Sequence, residues 1–146
     1  MPRYFTLHQA QELLPVVEAE FRQALHVKRQ LDGAASELSG YSKHLLLAGG
    51  AVVDQRKFLL LRSRRDALAR RLKEMLQAIQ ERGCQVKDLE LGLVDFPTIY
   101  RGKEVCLCWR LGEPEIAHWH ETDEGYRGRK PIDQDFLNHH RGDAPA

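Results

Sequence analysis

Two stretches of the chain repeat an apolar residue at alternating intervals of three and four. In the first, Leu14, Val17, Phe21, Ala24, Leu31, Ala35 and Leu38 form the series, with Lys28 filling one position. In the second, Phe58, Leu61, Leu68, Leu72, Met75 and Ile79 form it around Arg65. Such a period places the side chains on one narrow seam of a helix, the arrangement of helices that pack along their length. The spacing predicts helices over residues 7–38 and 54–82. Thr6 and Gln9 have the spacing of a capping box at the first helix start. Pro15 removes one helical donor and Gly33 weakens the far end. Gly83 is placed to stop the second helix in a left-handed cap. The alkyl stems of Lys28 and Arg65 can cover apolar surface while their charges reach water or a partner's carboxylate. Between the helices, Ser39-Gly40-Tyr41 and Gly49-Gly50-Ala51 mark a turn region around Leu45-Leu46-Leu47. A two-helix hairpin buries only one seam per helix and is marginal alone. It needs cover from the rest of the chain or from a second copy, most simply in a homodimer.

After Gly83 the period shortens to two. Val105, Leu107 and Trp109 alternate with Glu104, Cys106, Cys108 and Arg110. Arg101-Gly102-Lys103 reads as a hairpin turn before that strand, and Gly112-Glu113-Pro114 as a turn after it. Ile116 to Glu121 reads as the returning strand. The expected fold is α+β and mainly α: a long antiparallel, coiled-coil-like helical hairpin over residues 1–83, then a small antiparallel β-meander of two to four strands over 84–131. Residues 132–146 are polar and expected to fray.

Charge is unevenly spread. The net charge is +1, yet residues 1–82 carry 14 Lys and Arg against 9 Asp and Glu, and residues 83–146 carry 8 against 12. Arg56, Lys57, Arg62, Arg64, Arg65, Arg70, Arg71 and Lys73 concentrate the basic excess. This reads as a solvated helix face or as a surface for an acidic partner. No aromatic residue lies among residues 62–73 to stack a base, so nucleic-acid binding is expected to be weak at most. No apolar run approaches the ~18 residues of a membrane span, and no signal-peptide pattern opens the chain. A cytoplasmic location, no membrane, and reduced thiols at the three cysteines are the matching expectations.

Side chains that bear chemistry gather in residues 95–129. Cys106, Cys108, His118 and His120 are the donor types and number for zinc. A tight turn at Gly112-Glu113 would pair Leu107 with His118 and keep thiols and imidazoles apart; a register shifted by one residue would bring all four together. Cys108 and His120, with Asp95 or Glu113, could hold a metal or form a thiol–imidazole pair, the basis of a small metal- or thiol-dependent enzyme. Alternatively, Arg110 and Arg129 are forks for the carboxylate or phosphate of a small anionic ligand or a protein partner. Trp109 and Trp119 offer flat surface, or else core. The best reading is an oligomeric binding protein, with Asp95, Cys108, Arg110, Glu113, Trp119, His120 and Arg129 gathered in one cluster on the sheet. No P-loop, dinucleotide fingerprint, zincin or EF-hand spacing occurs.

Several of these words recur together in one family. Tyr4-Phe5-Thr6-Leu7, Leu13-Leu14-Pro15, Val86-Lys87-Asp88-Leu89, Gly92-Leu93-Val94-Asp95-Phe96-Pro97 and Cys108-Trp109-Arg110-Leu111-Gly112-Glu113 through Trp119-His120 span nearly the whole chain. Their pattern resembles a bacterial family known only as domain of unknown function 2203. The resemblance implies a fold but no activity. Its pattern takes in Cys108 and His120 and passes over Cys106 and His118.

Overall fold

In the computed structural model, residues 3–47 and 55–144 are described. Helix α1 runs Leu7–Leu47 and α2 runs Gln55–Glu81. Strands β1 (Gln85–Asp88), β2 (Leu93–Tyr100), β3 (Lys103–Arg110), β4 (His118–Glu121) and β5 (Lys130–Pro131) follow, then helix α3 (Gln134–His139) and strand β6 (His140–Arg141). The chain divides into two compact units: Met1–Phe21 with Gln77–Ala146, and Arg22–Leu76.

The unit Arg22–Leu76 consists of two helical arms running antiparallel. Ala35, Leu38, Ser39 and Ser42 on α1 share a groove with Phe58, Arg62 and Arg65 on α2. On α2 the heptad series holds: Phe58, Leu61, Arg65, Leu68 and Met75 are half-buried and Leu72 is buried. On α1 the seam slips by one residue. Ala24 is followed by Val27, Ala34 and Leu38 as the buried positions, so Lys28 stands beside the seam and not in it. Its Nζ lies 2.5 Å from Asp32 Oδ1, one helical turn on. The helix also outruns the expected end at residue 38 by nine positions. Gly40 costs about 1 kcal/mol in a helix interior, too little by itself to end so long a helix. The turn expected at Gly49-Gly50-Ala51 lies outside the described residues.

The other unit is built on an antiparallel sheet of order β1-β2-β3-β4-β5. It has six strands where two to four were expected, because β1, β5 and β6 are too short to show alternation. β6 pairs with the far end of β2, Ile99 with Arg141 and Tyr100 with His140. Pro97 sits between the segments of β2 that pair with β1 and β6, so its missing N–H leaves no ladder bond unmade. The turn at Arg101-Gly102 has φ of 51° and 79°, the left-handed pair of a two-residue hairpin. One sheet face, with Val94, Phe96, Val105, Leu107 and Trp109, packs on Phe5, Leu14, Val17 and Phe21.

Both helix ends in this unit behave as read. Thr6 Oγ1 accepts from Gln9 N at 3.1 Å, and Gln9 Oε1 accepts from Thr6 N at 2.9 Å. Gly83 has φ of 102°, and a Cβ there would stand 2.8 Å from Arg3 Cβ. The expectation of a frayed tail fails for residues 132–144. Asp133 Oδ1 caps α3 by accepting from Phe136 N at 2.8 Å, and Phe136 is fully buried. His140 Nε2 accepts from Leu7 N at 3.0 Å, closing the start of α1. Residues 145–146 lie outside the described residues.

Candidate functional site

The register of β3 and β4 decides which side chains meet. Cys106 pairs with His120, Leu107 with Trp119 and Cys108 with His118. This is the shifted register, not the one expected from a tight turn. The connection absorbs the odd residue by turning Ile116 into the core, where it is 3 % exposed, with its N–H on Gln11 Oε1 at 3.0 Å. The turn itself is held by Arg110 N donating to Glu113 Oε1 at 2.6 Å and Trp109 Nε1 donating to Glu113 O at 3.0 Å.

Because facing residues on neighbouring strands share a sheet face, Cys106, Cys108, His118 and His120 lie together, and Asp95, which pairs with Cys108, joins them. Trp119 falls on the opposite face, against Tyr100 and Phe136 at ring separations of 5.2 and 5.1 Å. It therefore leaves the expected cluster and becomes part of the aromatic packing under α3.

The centre of the face is the pair His120–Asp95, with Nε2 3.0 Å from Oδ1 and side chains 5 % and 3 % exposed. His120 Nδ1 lies 2.7 Å from Glu121 O. A carbonyl only accepts, so Nδ1 carries a proton, and the ring is oriented with Nε2 on Asp95. The Asp95 carboxylate, helped by the Cys108 sulfur, pushes the His120 pKa up to about 10 against the opposing effect of burial. Both ring nitrogens are thus engaged. In a thiol–imidazole–acid relay the acid and the thiol use different nitrogens. Here the backbone carbonyl holds the one that Cys108 would need. Asp95 Oδ2 and His118 Nδ1 are buried without a hydrogen-bond partner. His118 Nδ1 does lie 3.7 Å from Glu113 Oε2. A buried polar atom left without a partner is costly, and the Asp95 oxygen is the one of the two that also borders a pocket.

Above the pair lies a pocket of about 250 Å³, lined by Lys87, Asp88, Asp95, Cys108, His120, Thr122, Glu124 and Tyr126 among others. Tyr126 joins it to the remaining expected residues. Its hydroxyl accepts from Arg110 NH1 at 3.1 Å, and the Arg129 guanidinium lies 4.3 Å from its ring centroid. Arg129 is committed further, donating from NH1 and NH2 to Glu113 Oε1 and Oε2 at 2.9 and 3.2 Å. Burial alone would raise the Glu113 carboxyl, but the Arg129 fork and the Arg110 N–H outweigh it and hold it below the usual range. Asp95, Cys108 and His120 thus line the pocket with Tyr126, while Arg110, Arg129 and Glu113 stand outside the lining and reach it through Tyr126. Two larger grooves, of about 400 and 470 Å³, run along the helical arms, but no buried ionisable side chain lines them.

Three donors of different elements converge beneath the pocket. Single ligand atoms of Asp95, Cys106 and His120 all lie within 4.8 Å of one another, and all three residues are buried. This trio contains Cys106, not the Cys108 expected to pair with His120. Sequence reasoning missed Tyr126, Lys87, Thr122 and Glu124 altogether. The Tyr126 to Arg129 stretch, with an aromatic ring just ahead of two arginines, was the available signal. A model of a family described as an uncharacterized conserved protein, DUF2203, matches residues 3–132. The chain belongs to that family. The matched stretch contains every residue of the pocket. No curated protein and no solved structure matches the chain. No described helix is long and apolar enough to cross a membrane.

Proposed function

We propose that this protein is a small-ligand-binding module whose site is the pocket over Asp95 and His120. The observation that carries the reading is Asp95 Oδ2, an acceptor buried without a partner at a pocket wall. A buried acceptor of this kind costs about 1–3 kcal/mol until something donates to it, so the site is poised for a ligand that brings a donor or a positive charge. The lining supports a cation over the anion suggested by the arginines. Asp95 Oδ2 is the unpartnered acceptor of the lining, since Glu124 is spent on Lys130 and Arg129 on Glu113, while Arg110 reaches Tyr126. Engagement of both His120 nitrogens favours binding over thiol catalysis. The test is thermal unfolding with methylammonium, agmatine and divalent cations in one set, and acetate and phosphate in another. The cations should raise the midpoint by a few degrees through selective binding to the folded state, and Asp95→Asn should abolish the rise. Stabilisation by the anions alone would overturn the reading.

We also infer that the helical arms self-associate. Leu46 and Leu47 at the end of α1 and Leu59 and Leu60 in the opening turns of α2 are 82 %, 85 %, 58 % and 70 % exposed, apolar side chains left without cover. Light scattering at micromolar concentration should give about twice the chain mass of 16.8 kDa; a mass near 16.8 kDa would contradict it.

A further inference from the structure

We propose that Asp95, Cys106 and His120 form a site for a zinc-like divalent transition metal, with the fourth coordination position open to the pocket. The inference rests on the binding reading above and names the ligand. The donor set is one carboxylate oxygen, one sulfur and one imidazole nitrogen, a combination that suits zinc and not the all-oxygen preference of magnesium or calcium. Zinc bonds of about 2.0–2.3 Å place tetrahedral donors some 3.3–3.8 Å apart. The trio already lies within 4.8 Å, with His120 Nε2 and Asp95 Oδ1 at 3.0 Å, so side-chain adjustments of about an ångström suffice.

Two independent features point to a ligand at this place. Asp95 Oδ2 is buried and without a partner, on a side chain only 3 % exposed. His120 Nδ1 is fixed on Glu121 O, which leaves Nε2 as the nitrogen that faces the other donors. A backbone carbonyl on the far nitrogen is the outer-shell arrangement that orients metal-bound histidines. Three protein donors beside a pocket is the pattern of sites that keep one position for water or a small ligand. Asp95 and His120 both line that pocket, so the open position faces it.

The protons balance. Without metal, the contact of His120 Nε2 with Asp95 Oδ1 at 3.0 Å holds one proton between them, and Cys106 is a buried free thiol that holds another. On binding, the metal takes the Nε2 lone pair and the Cys106 thiolate, and the proton from each leaves to buffer. About two protons are released per metal, and no redox step is involved.

Cobalt(II) is the probe, because a thiolate ligand gives a near-ultraviolet charge-transfer band that a histidine–carboxylate pair does not. The wild-type chain, Cys84→Ser, Cys106→Ser, Cys108→Ser and Asp95→Asn are titrated with cobalt(II) and then with zinc. Cys84 serves as the control, its thiol lying 3.4 Å from Ile79 O. The expected result is a saturable band at one equivalent in wild type, Cys84→Ser and Cys108→Ser, displaced by zinc and reduced at least tenfold in Cys106→Ser and Asp95→Asn. A band lost in Cys108→Ser but kept in Cys106→Ser overturns the donor set. Absence of any band, in wild-type protein that unfolds cooperatively, overturns the metal. If agmatine or methylammonium still raises the wild-type midpoint in that case, the metal alone has failed. If they also do nothing, the binding reading falls with it.

Discussion

Arg110 and Arg129 carry the same guanidinium but hold different things. Arg129 is 12 % exposed and clasps Glu113, whereas the exposed Arg110 contributes its backbone N–H to Glu113 and its side chain to Tyr126. The sequence shows two arginines near one glutamate; only the fold says which side chain makes the pair. Arg129→Ala should therefore cost about 2 kcal/mol in urea unfolding at neutral pH, since it strands a half-buried carboxylate. Arg110→Ala should stay within the surface range of about 0.5 kcal/mol; a loss in Arg110→Ala equal to or larger than that in Arg129→Ala would contradict the assignment. His120 sets a second expectation. Its pKa in the fold is raised from 6.5 to about 10, so the stability it contributes is complete below about pH 6.5 and is lost as pH rises through about 10. Urea midpoints should decline across that window in wild type and flatten in Asp95→Asn. A wild-type profile level to pH 10 would mean that His120 is neutral in the fold.

At the scale of elements, the heptad spacing on α2 and the capping box at Thr6 were legible because each is a local rule, closed within a few residues. The slip of the α1 seam to Val27 was not, because which apolar residue is buried depends on what packs opposite it. The β3–β4 register was legible only as an alternative, since one residue turned inward at Ile116 reverses every facing pair after it. The tail misled for a similar reason. Residues 132–144 are polar in sequence, and their order depends on contacts with distant parts, Phe136 against Tyr100 and Trp119, and His140 on Leu7 N. Asp133 three residues before Phe136 was the local sign of a helix start. Phe136→Ala should cost about 3–5 kcal/mol in urea unfolding. A loss under about 1 kcal/mol would restore the frayed tail.

At the scale of the whole molecule, charge divides with the units. Arg22–Leu76 carries 12 Lys and Arg against 5 Asp and Glu, and the remainder carries 10 against 16. Exposed Arg62, Arg64, Arg70 and Arg71 make an electrostatic surface without a base-stacking ring. Any binding of single-stranded oligonucleotides should be weak and should fade between about 50 and 200 mM salt; tight binding that survives that range would contradict this. The acidic unit, by contrast, holds the pocket, and the claim on which the rest depends is that ligands bind there. Amide-resolved NMR during titration with zinc, and separately with agmatine, tests it most directly. Saturable shifts centred on Leu93–Asp95, Cys106–Cys108 and His120–Tyr126 are expected, all lost in Asp95→Asn. Shifts centred instead on Phe58–Arg65, or unchanged in Asp95→Asn, would contradict it.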